Sequence, residues 1–97
     1  MIAHIVLLQP NPSITLEEIN QVLQQVEALQ QSIPGILSVS TGHNLSANHQ
    51  GYTCGFIMHF VDETHLKNYA PHPAHRVVSD ELQRICTSII DFDLPQA

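Results

Sequence analysis

Ninety-seven residues leave room for one domain, and 43% apolar against 12% charged residues describes an ordered globule, not a disordered chain. Nine carboxylates face only three cations, Lys67, Arg76 and Arg84, giving a net charge of −6. Three scattered cations cannot form a basic patch, which excludes nucleic acid and anionic membrane surfaces as partners.

The opening stretch Met1–Leu8 is apolar but lacks a basic leader and ends at Gln9-Pro10, so it reads as a buried strand, not a signal peptide or membrane span. Ile2, His4, Val6 and Leu8 share one face of it; Ala3, Ile5 and Leu7 share the other. His4 is the single polar intrusion. Cys54 and Cys86 have no CxxC spacing and sit among apolar residues, which points to free thiols in a cytoplasmic protein.

Pro10-Asn11-Pro12-Ser13 is a turn. Thr15 and Glu18 then form a capping-box pattern, flanked by Ile14 and Ile19 as a hydrophobic staple. Leu16, Ile19, Val22, Leu23, Val26, Leu29 and Ile33 follow at helical spacing, predicting a helix from about Leu16 to Ser32 that Pro34-Gly35 ends. Ile36–Asn44 reads as a second strand, with Leu37, Val39 and Thr41 on one side. A polar loop leads to a third strand over Tyr52–Phe60, whose Tyr52, Cys54, Phe56, Met58 and Phe60 line one face. Gly55 marks a close approach by another backbone, with another subunit as a candidate.

Asp62 caps a short helix that brings Leu66 and Tyr69 to one face. Pro71 disfavours helical geometry at Ala70, so that helix stops near Tyr69. Pro73 suits the first position of a new helix, leaving His72 as its cap and His75 in its first turn. Val78, Leu82, Ile85 and Ile89 continue the apolar stripe of this helix, and one step of three back from Val78 lands on His75. The imidazole is therefore expected to point toward the sheet. The positive end of the helix dipole disfavours imidazolium there, making His75 a neutral proton acceptor in this reading. Ile89–Leu94 closes the chain as a last strand.

The order strand, helix, strand, strand, helix pair, strand is a split βαβ pattern. It predicts an α+β, ferredoxin-like fold with a four-stranded antiparallel sheet and helices on one face. Ala3, Ile5, Leu7 and Ile57 would leave an apolar patch on the other face, which argues for a face-to-face homodimer.

His4-Ile5-Val6-Leu7, Ile33-Pro34-Gly35, Gly42-His43-Asn44, Gly51-Tyr52-Thr53 and above all Tyr69 with His72-Pro73-Ala74-His75 resemble the stress-responsive A/B barrel, or Dabb, family. The resemblance covers nearly the whole chain. It implies a dimeric α/β barrel in which two ferredoxin-like subunits pair through their sheets. A plant polyketide cyclase of that family performs an intramolecular aldol condensation. Its catalytic tyrosine and histidine fall on Tyr69 and His75, and His4 and His72 match further histidines. Cys54 departs from the pattern, standing where that enzyme has a histidine in its third strand.

Tyr69 and His75 are thus the candidate catalytic residues, with His75 as general base beside a carbonyl and Tyr69 as donor to a developing oxyanion. Asp93 is the expected orienter of His75. A buried His–Asp–Tyr network that merely pins the helix break to the sheet would use the same residues. His4, His72, Asn44, Cys54 and Phe56 are candidates for contact with a small, partly apolar carbonyl ligand. Each also has an ordinary role: core histidine, helix cap, strand-end turn residue, buried thiol and core aromatic.

No cofactor is expected, and no metal. His72 and His75 could share a cation with His4 or Asp93, but Pro73 lies between them and no third ligand stands at local spacing. A haem- or metal-dependent monooxygenase is suggested by fold analogy alone. A non-catalytic ligand-binding or stress-response dimer is the main alternative to an enzyme.

Overall fold

A computed structural model describes all 97 residues. Strand β1 spans Ile2–Pro10, helix α1 Leu16–Ser32, β2 Ile36–His43, β3 Cys54–Phe60, α2 Glu63–Tyr69, α3 Pro73–Ile85 and β4 Cys86–Pro95. The four strands form one antiparallel sheet in the order β2-β3-β1-β4, with β1 and β3 central. This is the expected ferredoxin-like α+β fold. No helix is long and apolar enough to cross a membrane.

The core lies between the inner sheet face and the helices. Val6 and Leu8 of β1 and Cys54, Phe56, Met58 and Phe60 of β3 meet Ile19, Val22, Leu23, Val26 and Leu29 of α1 there. Helix α1 is capped by Thr15, whose hydroxyl oxygen accepts the Glu18 N–H at 3.2 Å. Its apolar stripe begins one turn later than expected, because Leu16 is exposed. The helix stops at Pro34-Gly35, where Gly35 takes a φ of +90°, a region in which a side chain is strained.

Three boundaries differ from the sequence reading. Strand β3 starts at Cys54, and Tyr52 lies in the preceding loop with its hydroxyl 3.0 Å from the Ser88 hydroxyl. Between Ile36 and Ser38 the β2–β3 pairing slips by one residue, burying Ile36 and leaving Leu37 half exposed instead of aligned with Val39 and Thr41. Helix α3 ends at Ile85 and β4 begins at once with Cys86, so Ile89 belongs to the strand and not to the helical stripe.

Gly55 does mark a close approach, within its own sheet. A Cβ there would collide with the Val6 carbonyl oxygen of neighbouring β1. Of the residues expected on the outer face, Ile5, Leu7 and Ile57 are half-buried there, while Ala3 is buried. The register places Leu94, Phe92 and Ile90 of β4 opposite Ala3, Ile5 and Leu7, which extends that apolar face across a further strand.

Candidate functional site

The break between α2 and α3 positions the site. Pro73 has no N–H to donate and takes the first position of α3. His72 caps the helix by accepting the Ala74 N–H on Nδ1 at 3.1 Å. An unbroken helix would have sent the Ala74 N–H to the carbonyl of Ala70. Freed from that partner, the Ala70 carbonyl accepts a hydrogen bond from His75 Nδ1 at 2.9 Å. A carbonyl can only accept, so the proton sits on Nδ1, and the lone pair of a neutral ring is on Nε2.

His75 is half-buried, and its ring centroid lies 4.2 Å from that of Tyr69, tilted by 50°. Tyr69 is buried by its position at the end of α2, edge-on to Phe60 at 5.1 Å and to His4 at 5.5 Å. Its hydroxyl has no hydrogen-bond partner in the chain, yet no fully buried side-chain nitrogen or oxygen is left unsatisfied. The hydroxyl therefore opens onto the adjoining cavity. Burial, and after it the carboxylate of Asp91, pushes the phenol well above its ordinary range. Tyr69 consequently stays protonated, as a donor, across physiological pH.

Asp93 does not orient His75. It accepts a hydrogen bond at 2.6 Å from Nδ1 of His4, which the β1–β4 register sets directly opposite. Cross-strand neighbours on one face meet at short range, whereas His75 finds its partner within the helix break. His4 is thereby a satisfied histidine of the core, with edge contacts to Phe56 and Phe60.

A cavity of about 520 Å³ runs between α3 and the β1–β4 side of the sheet, and His4, Phe56, Tyr69 and His75 all line it. The sequence reading missed its polar wall: Ser79 and Gln83 of α3, Thr87, Ser88 and Asp91 of β4. A signal was there. Ser79 and Gln83 follow His75 at steps of four, one helical face, and Asp91 alternates with Ile89 and Asp93 on the strand.

The remaining candidates lie elsewhere. His72 has its Nδ1 committed to the helix cap. Asn44 donates to the Tyr52 carbonyl and accepts from the Ser46 N–H, both at 2.9 Å, closing the β2–β3 loop. With Cys54 it borders a separate hollow beside Gly42 and Ile57. Burial, with Cys86 adding to it, pushes the Cys54 thiol up to about 11, and neither cysteine is in a disulfide. No three His, Cys, Asp or Glu side chains converge at metal-binding spacing.

Solved structures share this architecture. A protein of Arabidopsis thaliana superposes with a TM-score of 0.93 at 21% identity, over 100% of this chain and 96% of its own. A dimeric ferredoxin-like protein of unknown function from Jannaschia sp. CCS1 is 26% identical, with a TM-score of 0.85 over 98% of both chains. The hydroxynitrile lyase of Passiflora edulis gives 0.88 at 18% identity, over 96% of this chain and 90% of that one. No curated protein matches the chain significantly in sequence. The family model described as the stress responsive A/B barrel domain matches residues 2–96. With the split βαβ sheet and the broken helix pair over that whole length, the chain belongs to the stress responsive A/B barrel (Dabb) family.

Proposed function

We propose that the protein is a cytoplasmic homodimer in which each subunit binds a small, partly apolar carbonyl compound and moves a proton on it. The observation that carries the reading is the pairing of a donor and an acceptor on one cavity. The Tyr69 hydroxyl has no partner in the chain, and His75 is held by Ala70 with Nε2 left free. In this mechanism His75 Nε2 takes a proton from the carbon alpha to the carbonyl. The electron pair moves onto the carbonyl oxygen, where the Tyr69 O–H stabilises the enolate. Return of the proton from His75 to a different carbon completes an isomerisation; attack of the enolate on a second carbonyl of the same molecule, with the His75 proton passing to the new alkoxide, completes an aldol-type cyclisation.

The dimer is supported by the apolar outer face, where Ile90, Phe92 and Leu94 are each more than 40% exposed. The Jannaschia protein of the same fold is described as dimeric. The free thiols fit a reducing compartment. A hydroxynitrile lyase shares the fold, so the scaffold can host catalysis, an analogy of fold alone.

The test is deuterium exchange at the alpha carbon of an enolisable ketone such as phenylacetone, followed by proton NMR. The wild-type protein is expected to accelerate exchange, and His75→Gln and Tyr69→Phe each to abolish most of the acceleration. Binding of the ketone without accelerated exchange would leave a binding protein and remove the chemistry.

A further inference from the structure

Asp91 is the residue of the cavity that the proton-transfer mechanism does not use. It sits on the inner side of edge strand β4, opposite Val6, and forms no ion pair or hydrogen bond with any side chain. Asp93, two residues on, already accepts a hydrogen bond from His4. The cavity wall holds no Lys or Arg at all. Lys67 borders an adjoining hollow on the other side of Tyr69 and His75, where it is the one Lys or Arg beside the two carboxylates of Asp91 and Asp93. The charge of Asp91 is felt at the reacting end, since after burial it is the next influence that raises the phenol of Tyr69.

A ligand that reaches Tyr69 and His75 therefore meets two carboxylates against the single cation of Lys67, in a protein with a net charge of −6. An anionic ligand would find no Lys or Arg along the main cavity wall, and the excess of carboxylates would repel it. A ligand carrying a positive nitrogen would find a counter-ion. Resting on the carbonyl-binding reading, we infer that Asp91 makes the cavity select substrates by charge, admitting neutral and amine-bearing carbonyl compounds and rejecting those that bear a carboxylate or phosphate. Asp91 is a specificity residue in this account, distinct from the pair that moves the proton.

The side chain is exposed, so water screens it and the selectivity is of moderate size: about three- to tenfold in affinity, for a Coulomb interaction near ~1 kcal/mol. Two pairs of probes measure it by calorimetry or NMR titration. One is 4-formylbenzoate against (4-formylphenyl)trimethylammonium; the other is benzoate against phenyltrimethylammonium, which lack the aldehyde. The wild-type dimer is expected to prefer the cation in both pairs, and Asp91→Asn to remove the preference in both. Asp91 makes no side-chain contact that this substitution would break, so the variant folds. A cation preference in both pairs with no gain from the aldehyde would uphold charge selection and sink the carbonyl reading separately. Equal affinities in the wild type, a preference that survives in Asp91→Asn, or no measurable binding of any probe would overturn the inference.

Discussion

His4 and Asp93 stand opposite each other on β1 and β4, and a 2.6 Å hydrogen bond between them joins the first strand of the chain to the last. The side chain of His4 is 9% exposed and that of Asp93 45%, so the bond lies at the boundary between core and solvent. Removing the carboxylate leaves a buried N–H without a partner. Asp93→Ala is expected to lower stability by about 1 kcal/mol, the lower part of the range for such a loss because water reaches the site. Replacing both residues, as His4→Leu with Asp93→Ala, should recover part of that loss. Urea denaturation of the two single variants and the double variant reads this coupling directly.

Tyr69 separates stability from chemistry. Its hydroxyl has no partner in the chain, so Tyr69→Phe should change the urea midpoint little, by less than about 0.5 kcal/mol in stability. The same substitution should slow alpha-proton exchange by about 10²–10³-fold if the hydroxyl carries the oxyanion. A variant as active as the wild type would remove Tyr69 from the mechanism.

Gly55→Ala forces a methyl group against the Val6 carbonyl oxygen, and both belong to central strands that cannot easily part. A loss of about 2–3 kcal/mol is expected, at the upper end for overpacking because the obstacle is backbone. Thermal unfolding followed by circular dichroism measures it.

Phe92→Glu tests the outer face. A carboxylate in the centre of a dimer interface is costly to bury, so the protein should become a folded monomer, visible by light scattering after gel filtration. A variant that stays dimeric would move the interface elsewhere.

Cys54 shapes the alkaline response of stability, together with Cys86 and Tyr69, which burial also raises. The Cys54 thiol rises on folding from the usual 9.0 to about 11, chiefly through burial. A group raised in the folded state favours the fold below its unfolded value and gives that advantage up as pH rises. Stability should therefore fall between pH 9 and about 11, and Cys54→Ala should flatten that part of the profile. The same burial predicts slow reaction of Cys54 with thiol reagents at pH 8 until the protein is unfolded.

The parts of this site written in local chemistry were legible in the sequence. Two prolines and their neighbours gave the break, the His72 cap and the start of α3 without any knowledge of the sheet. What failed was long-range. A carboxylate commonly fixes the tautomer of a histidine, which points Asp93 at His75, but the residue opposite Asp93 depends on strand register, which no local pattern contains. Leu37 was misplaced for the same reason, since a one-residue slip against β3 reverses the side to which a side chain points. The end of α3 is hidden because Ile85 and Ile89 keep helical spacing while the chain has already become a strand at Cys86.

The hydrogen bond from His75 to Ala70 spans five positions, whereas the bond from His4 to Asp93 spans 89. The aim of the imidazole is thus held within one short segment of chain, and the shape of the space it addresses is held by the whole polypeptide. Substitutions spread over the strands and α3 can remodel that space, its polarity and its charge while the segment from Tyr69 to His75 stays intact. A scaffold divided in this way can change its ligand by many small steps without dismantling the group that would act on it.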